Sequence, residues 1–239
     1  MNLIQENIDN LTSLWQLAGN RCGVFEQNSS YSFSYISQSS WPNRIWLTAN
    51  IDSTTFNEAI TKAKQHGLGI SLWDELMEMH QLEAEGYKLK LELQGMSMPL
   101  EEWERQGQPI ELLTVGDDLT AAMWSDLFRQ AFGYRIDSTT VLKTMDRVQY
   151  FIARAHGRPV GTAVLFHHKP EIAGIHSMGI IPDMRGQGYA KRLLHSVLGI
   201  GKASGAQWAI LQASSMGEGL YLKTGFTQQF TLKTYKYNI

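Results

Sequence analysis

The strongest chemical signal in the chain is PDMRGQGYAKRLLHSV, residues 182–197. Gly186 and Gly188 flank Gln187, Arg185 stands just before them, and Lys191 and Arg192 follow. The apolar run AGIHSMGII precedes the stretch, and Leu193, Leu194, Val197 and Leu198 follow it at helical spacing. A strand that turns into a helix leaves N–H groups unpaired at the helix start, where the helix dipole is positive. Glycines let a ligand approach bare backbone and let N–H groups converge on it. The stretch therefore suits an anion, and the ligand it implies carries phosphate. Neither G-x-x-x-x-G-K-[ST] nor G-x-G-x-x-G occurs, which excludes two common phosphate loops. A glycine-rich turn of this kind also occurs for purely structural reasons.

The elements that must hold this loop are legible around it. IELLTV (110–115) reads as a strand. DDLTAAMWSDLFRQAFG reads as a helix with Asp118 as cap and Gly133 as stop. DSTTVLKTMDRV is a second helix, and QYFIARAHGRPVGTAVLFHH is a hairpin turning at HGRP. IAGIHSMGII extends the meander. A helix to about Ala203, the strand AQWAILQAS, and the helix SMGEGLYLKTG ending at Gly225 come next. FTQQFTLKTYKYNI closes the chain as two strands or a bent hairpin. Ile8, Leu11, Leu14 and Trp15 predict a helix at the start, with Gly19 as its stop.

The first half repeats part of this order. RIWLTANI, DSTTFNEAITKAKQ, GLGISLW, DELMEMHQLEAEG and YKLKLEL run strand, helix, strand, helix, strand, as residues 173–232 do. Gly86-Tyr87 stands where Gly225-Phe226 stands. We read residues 1–107 as a diverged copy and 108–239 as the working one, with GMSMPLEEWERQGQP as tail and linker. The alternative is chance likeness in a common order. The copy has IDSTTFNEA in place of PDMRGQGYA and Leu82 in place of Tyr221, so it has lost the loop's chemistry. Charge divides the same way: residues 1–107 hold 7 Lys and Arg against 14 Asp and Glu, and residues 108–239 hold 14 against 9.

MGIIPDMRGQGYAKRLL resembles the acetyl-CoA motif of the GCN5-related N-acetyltransferase (GNAT) superfamily, [QR]-x-x-G-x-[GA], which Arg185, Gly188 and Ala190 satisfy. LYLKTGF (220–226) resembles the family's second signature, an aromatic residue four before Gly-Phe. The resemblance covers about residues 110–239. It implies a mixed α/β (α+β) fold, with a mostly antiparallel central sheet flanked by helices, preceded here by a partial GNAT-like half. It also implies that Arg185, Gly186, Gln187, Gly188, Tyr189, Ala190 and Lys191 surround the pyrophosphate of coenzyme A. Met178, Gly179 and Ile180 would pair with its pantetheine arm as an added strand does.

Acetyl transfer from a thioester to an amine needs a deprotonated amine, a stabilised oxyanion, a proton for the thiolate, and proximity. By resemblance Tyr221 is the candidate acid, the alternative being a packing tyrosine. A backbone N–H at the strand end, that of Ile180, is the candidate oxyanion donor, provided a distortion frees it. His176 is the candidate base: parity puts it on the face of Ile180 in an unbroken strand, and some relatives have a histidine here. A hydrogen-bonded core histidine, or a water chain as base, remains open. The glutamate some members carry on the next strand is absent, with Ala209 in that region, so Gln212 and Ser214 could only orient water or substrate. The implied activity is direct transfer from acetyl-CoA to a small-molecule or protein amine. Transfer of another acyl group and a non-catalytic acyl-CoA sensor are the rivals.

Bulk properties are compatible with this. With 239 residues, 43% apolar and net charge −2, the chain can bury a core and has no overall attraction for nucleic acid or anionic membrane. The single cysteine, Cys22, forms no internal disulfide, and an acidic start without a basic n-region points to a reducing, cytoplasmic home. His167, His168 and Glu171 fall in a turn without a fourth ligand, so no metal is expected and they read as surface. Trp41, Trp46, Trp73 and Trp103 read as core or interface packing, with an acceptor-pocket lining as the alternative. Oligomeric state and the acceptor's identity have no signal.

Overall fold

The computed structural model describes residues 1–47, 52–73 and 78–237. In chain order the first half forms α1 (Leu3–Cys22), β1 (Val24–Gln27), β2 (Tyr31–Tyr35), β3 (Arg44–Leu47), α2 (Ser53–His66), β4 (Gly69–Trp73), α3 (Glu78–Ala84) and β5 (Tyr87–Pro99). The second half forms β6 (Glu111–Thr114), α4 (Asp118–Phe132), α5 (Ser138–Thr144), β7 (Gln149–Ala155), β8 (Arg158–Phe166) and β9 (Ile172–Ile180). A 3₁₀ turn (Pro182–Met184), α6 (Tyr189–Ala203), β10 (Trp208–Ala213), α7 (Ser215–Thr224) and β11 (Thr227–Tyr237) complete it.

The strands of the described residues join one eleven-stranded, mostly antiparallel sheet in the order β1-β2-β3-β4-β11-β5-β10-β9-β8-β7-β6. The last strands of the two halves are interleaved. β11 pairs with β4 of the first half, and β5 pairs with β10 of the second. Between them β5 and β11 form the longest ladder, from Thr227 opposite Ser97 to Tyr237 opposite Tyr87. The sheet thus runs unbroken across positions 107 and 108.

Alternation along each strand decides which helix it meets. Ile45 and Leu47 join Phe56, Ala59, Ile60 and Ala63 of α2 in one buried cluster. Trp46, on the other face, packs with Ile8, Leu11 and Trp15 of α1. α6 buries Leu193, Leu194, Val197 and Leu198 against Ile175, Ala209 and Leu211. α4 places Trp124 and Phe128 against Ile152 and Val164.

Several expectations shift. GMSMP is not a tail but the inner half of β5, and the C-terminal segment is one long strand with irregularities at Gln228/Phe230 and Thr234/Tyr235. The Phe230 ring lies against Gly95, where a Cβ would collide with it, so the aromatic ring fills the space a side chain would occupy. The cap of α4 is Asp117, not Asp118: Thr120 N donates to Asp117 Oδ1 at 2.8 Å. α1 runs through Gly19 to Cys22, because Gly19 is pressed against Ser34 of β2, and Gly23 N–H then closes the helix on Gly19 O at 3.0 Å. The expected strand RIWLTANI ends its described part at Leu47, and its last four residues lie outside the described residues, as do the first four of DELMEMHQLEAEG.

Candidate active site

β9 and β10 run parallel and pair only from Ile172 opposite Trp208 to Ile175 opposite Leu211. β9 continues to Ile180 and β10 to Ala213, so the strands part beyond that point. On its other side β9 sets Gly179 opposite Thr162 and His176 opposite Val164. Ser177 and Met178 therefore stand against Ala163 alone, a β-bulge. Ser177 takes φ 49°, and its carbonyl accepts a hydrogen bond from Thr162 Oγ1 at 3.0 Å. This bulge corrects the parity expected from sequence. The extra residue sends Ile180 into the core beneath α6, while His176 faces α1. The distortion expected near Ile180 sits at Ser177–Met178 instead, and Ile180 is in register with Gly161. At Gly179 a Cβ would crowd the Phe132 ring at the end of α4.

The loop after β9 stays open. Gly186 and Gly188 have φ of 75° and 78°, a conformation costing about 1–2 kcal/mol for other residues, and no atom lies within 4 Å of where their Cβ atoms would be. Gly188 is the N-cap of α6 and supplies no side-chain cap, whereas Asn2, Asp52, Asp117 and Asp137 cap α1, α2, α4 and α5. The first N–H groups of a fifteen-residue helix thus face the open side of the loop. Gln187 and Lys191 are exposed, Ala190 is half-buried, and Tyr189 is buried in the core. Arg185, read from sequence as a charge beside the ligand, is a brace: Nε donates to Ile180 O at 3.0 Å and Nη2 to Ala131 O at 2.9 Å. Arg192 similarly ties α6 to Gln108 O and Pro109 O.

Where β9 and β10 part, a cleft of about 310 Å³ opens. His176, Met178, Gln212, Ser214 and Tyr221 line it from the second half, and Trp15, Trp41, Arg44, Leu91 and Leu93 from the first. The loop, the parted strands and the cleft are contiguous along β9.

Residues 117–226 match the family model described as acetyltransferase (GNAT) family. Residues 117–226 thus form a GNAT-family domain. Its fold is similar to that of a GCN5-related N-acetyltransferase from Kribbella flavida, at 15% identity and TM-score 0.71, over 98% of this chain and 96% of that one. It is similar to a GCN5-related N-acetyltransferase from Sphaerobacter thermophilus, at 15% identity and TM-score 0.62, over 88% and 81%. A GCN5-related N-acetyltransferase-like protein from Streptococcus suis 89/1591 aligns at 12% identity and TM-score 0.60, over 99% and 98%. A search of curated proteins gives no match. At these identities the likeness is one of fold, and it extends beyond the GNAT domain to nearly the whole chain.

Within the GNAT domain Tyr221 is buried, edge-on to Phe226 at 5.8 Å, and its hydroxyl has no hydrogen-bond partner among the described residues. Burial raises its pKa above the ordinary phenol value, so it stays protonated at neutral pH. Burial also depresses His176, to about 4, against the pull of a hydrogen bond with Gln212 toward the charged form. The imidazole is therefore neutral at neutral pH.

Its setting comes from α1, outside the GNAT domain. Asn10 Nδ2 donates to Phe166 O at 3.0 Å and faces His168 Nδ1 at 3.0 Å, which turns Asn10 Oδ1 toward His176 Nε2 at 2.7 Å. That arrangement puts the ring proton on Nε2 and leaves Nδ1 without one. Gly174 makes room, since a Cβ there would collide with the Asn10 amide. Asn7 does the same for Gln212: its Nδ2 donates to Met96 O and Leu211 O, and its Oδ1 accepts from Gln212 Nε2 at 2.5 Å. Ser214 is the N-cap of α7, with no cap bond from its side chain.

The remaining candidates separate. His168 is not a surface residue: it is partly buried, its ring held between Asn10 and Glu6, whose Oε2 lies 3.1 Å from its Nε2. No group of metal-binding side chains occurs among the described residues. Burial raises the Cys22 thiol's pKa. Trp41 lines the cleft, Trp46 is buried on Trp15, and Trp103 packs beside His195. Sequence reading missed Asn7, Asn10 and Arg44. The signal for the asparagines was present, because both fall on the apolar stripe of α1 with Leu11 and Leu14. Arg44 sits in a strand and gave none.

Proposed function

We propose that the protein transfers an acetyl group from acetyl-CoA to an amine, directly, with both substrates bound. The observation that carries this reading is the parting of β9 and β10 beside an uncapped, glycine-led start of α6. The amides of residues 186–191 hold the diphosphate, and the main chain of Met178, Gly179 and Ile180, on the edge that β10 has left, pairs with the pantetheine arm. The thioester then lies at the mouth of the cleft that Tyr221 and His176 line. The amine enters deprotonated and attacks the carbonyl carbon, and the bulged main chain at Ser177–Met178 supports the oxyanion. An imidazole with a pKa near 4 takes protons poorly from a free ammonium but readily from the far more acidic nitrogen of the tetrahedral adduct. His176 accepts that proton. The C–S bond breaks, the thiolate takes the Tyr221 proton, and both side chains reset with solvent.

Calorimetric titration with acetyl-CoA tests the reading. The wild-type protein binds it, and Gly188→Glu, which sets a carboxylate against the diphosphate, abolishes binding while the circular dichroism spectrum is kept. Equal affinity in the two proteins overturns it.

A further inference from the structure

The cleft contains one fixed charge that the transfer chemistry does not use. Arg44 is the first residue of β3, on the face that carries Trp46 toward α1. Its guanidinium lies 4.3 Å from the centre of the Trp15 ring. Nε donates to Pro42 O at 2.6 Å, and Nη1 faces Ser71 Oγ at 3.4 Å, a hydroxyl itself shared with Thr234. These bonds hold the fork in place and engage two of its five N–H groups. No Asp or Glu pairs with Arg44 among the described residues, and none lines the cleft. Burial lowers its pKa only to about 10, so it remains a cation at neutral pH. A partly buried guanidinium without a counter-ion is costly unless a ligand supplies one.

Apart from the neutral polar groups His176, Ser177, Gln212 and Ser214, the wall is apolar or aromatic, with Leu11, Trp41, Leu91, Leu93 and Phe132, and Tyr134 is near enough to interact with Arg44. A polyamine or a lysine side chain finds no carboxylate here and meets a like charge. We propose, on the reading that this cleft takes the acceptor, that the acceptor amine carries a carboxylate on a compact apolar frame, as an apolar α-amino acid does, and that Arg44 binds that carboxylate. The Arg44 fork suits a planar carboxylate held by two N–H groups. The volume of about 310 Å³ suits a single amino acid rather than a protein segment.

The test compares L-phenylalanine with 2-phenylethylamine, which lacks only the carboxylate, by coenzyme A release. The wild-type protein prefers phenylalanine in kcat/KM. Arg44→Gln lowers that preference about 10- to 100-fold, mainly through KM, as loss of a charge-assisted hydrogen bond predicts. Arg44→Lys, which keeps the charge but not the fork, falls between. Equal use of the two amines by the wild-type protein, or a ratio unmoved in Arg44→Gln, overturns the proposal. If neither amine turns over, titration with N-acetyl-L-phenylalanine decides. Binding to the wild-type protein that Arg44→Gln weakens at least tenfold supports the proposal, and no binding, or equal binding, overturns it. Acetyl-CoA titration of both proteins runs alongside. A failure of acetyl-CoA to bind the wild-type protein rejects the transferase reading itself, whereas intact acetyl-CoA binding with no carboxylate selectivity rejects only the acceptor class.

Discussion

At the scale of single residues, burial determines what the two titratable groups of the cleft can do. Tyr221 stays protonated and has no other partner among the described residues, so its hydroxyl is free to serve the leaving sulfur. Tyr221→Phe is expected to lower kcat about 10- to 100-fold with acetyl-CoA affinity unchanged, as steady-state rates and calorimetry together would register. His176, held at about 4, predicts a rate profile without a break near 6.5, whose rising limb follows the acceptor amine. The same shift acts on stability. The unfolded chain, with an ordinary imidazole, binds more protons than the folded one between about pH 6.5 and 4. The contribution of His176 to stability is therefore complete above 6.5 and is lost as pH falls toward 4. Urea midpoints measured across that window should fall less steeply in His176→Gln than in the wild-type protein.

At the scale of elements, α1 is the part whose role was least visible. It crosses the sheet with a stripe that is apolar except at Asn7 and Asn10, and those two amides set Gln212 and His176. Asn10→Ala leaves Phe166 O and His176 Nε2 without their partner. A loss of about 1–3 kcal/mol in chemical denaturation is expected, and with it a fall in kcat that exceeds any change in acetyl-CoA affinity. Unchanged kcat would reduce Asn10 to a packing residue. The glycine loop and α6 were far easier to recognise. Positive φ at Gly186 and Gly188 is a local demand that only a few residue types meet, so it leaves a readable mark. The bulge at Ser177–Met178 left none. Neither residue type is particular to a bulge, and only the mismatch with Ala163 across the ladder creates it.

At the scale of the whole molecule, the two halves share one sheet by exchanging their last strands. β5 covers the edge of β10 and pairs with β11, so residues 108–239 alone would expose β10 and leave β11 unpaired on both sides. That fragment is expected to be insoluble or molten, by near-ultraviolet circular dichroism and amide exchange, although it contains the entire family match; a cooperative, native-like fold would count against the exchange. No helix of the described residues is long and apolar enough to cross a membrane. The sequence by itself determined the helices, most of the strands, the glycine loop and the family of residues 117–226, because periodicity, caps and positive-φ glycines are local properties of the chain. It could not determine that GMSMP is a central strand, that His176 turns away from Ile180, or that Arg44 and Tyr221 share a cleft. Those facts depend on which distant strands pair and in what register, and pairing is decided by the burial of whole faces rather than by any short stretch of residues.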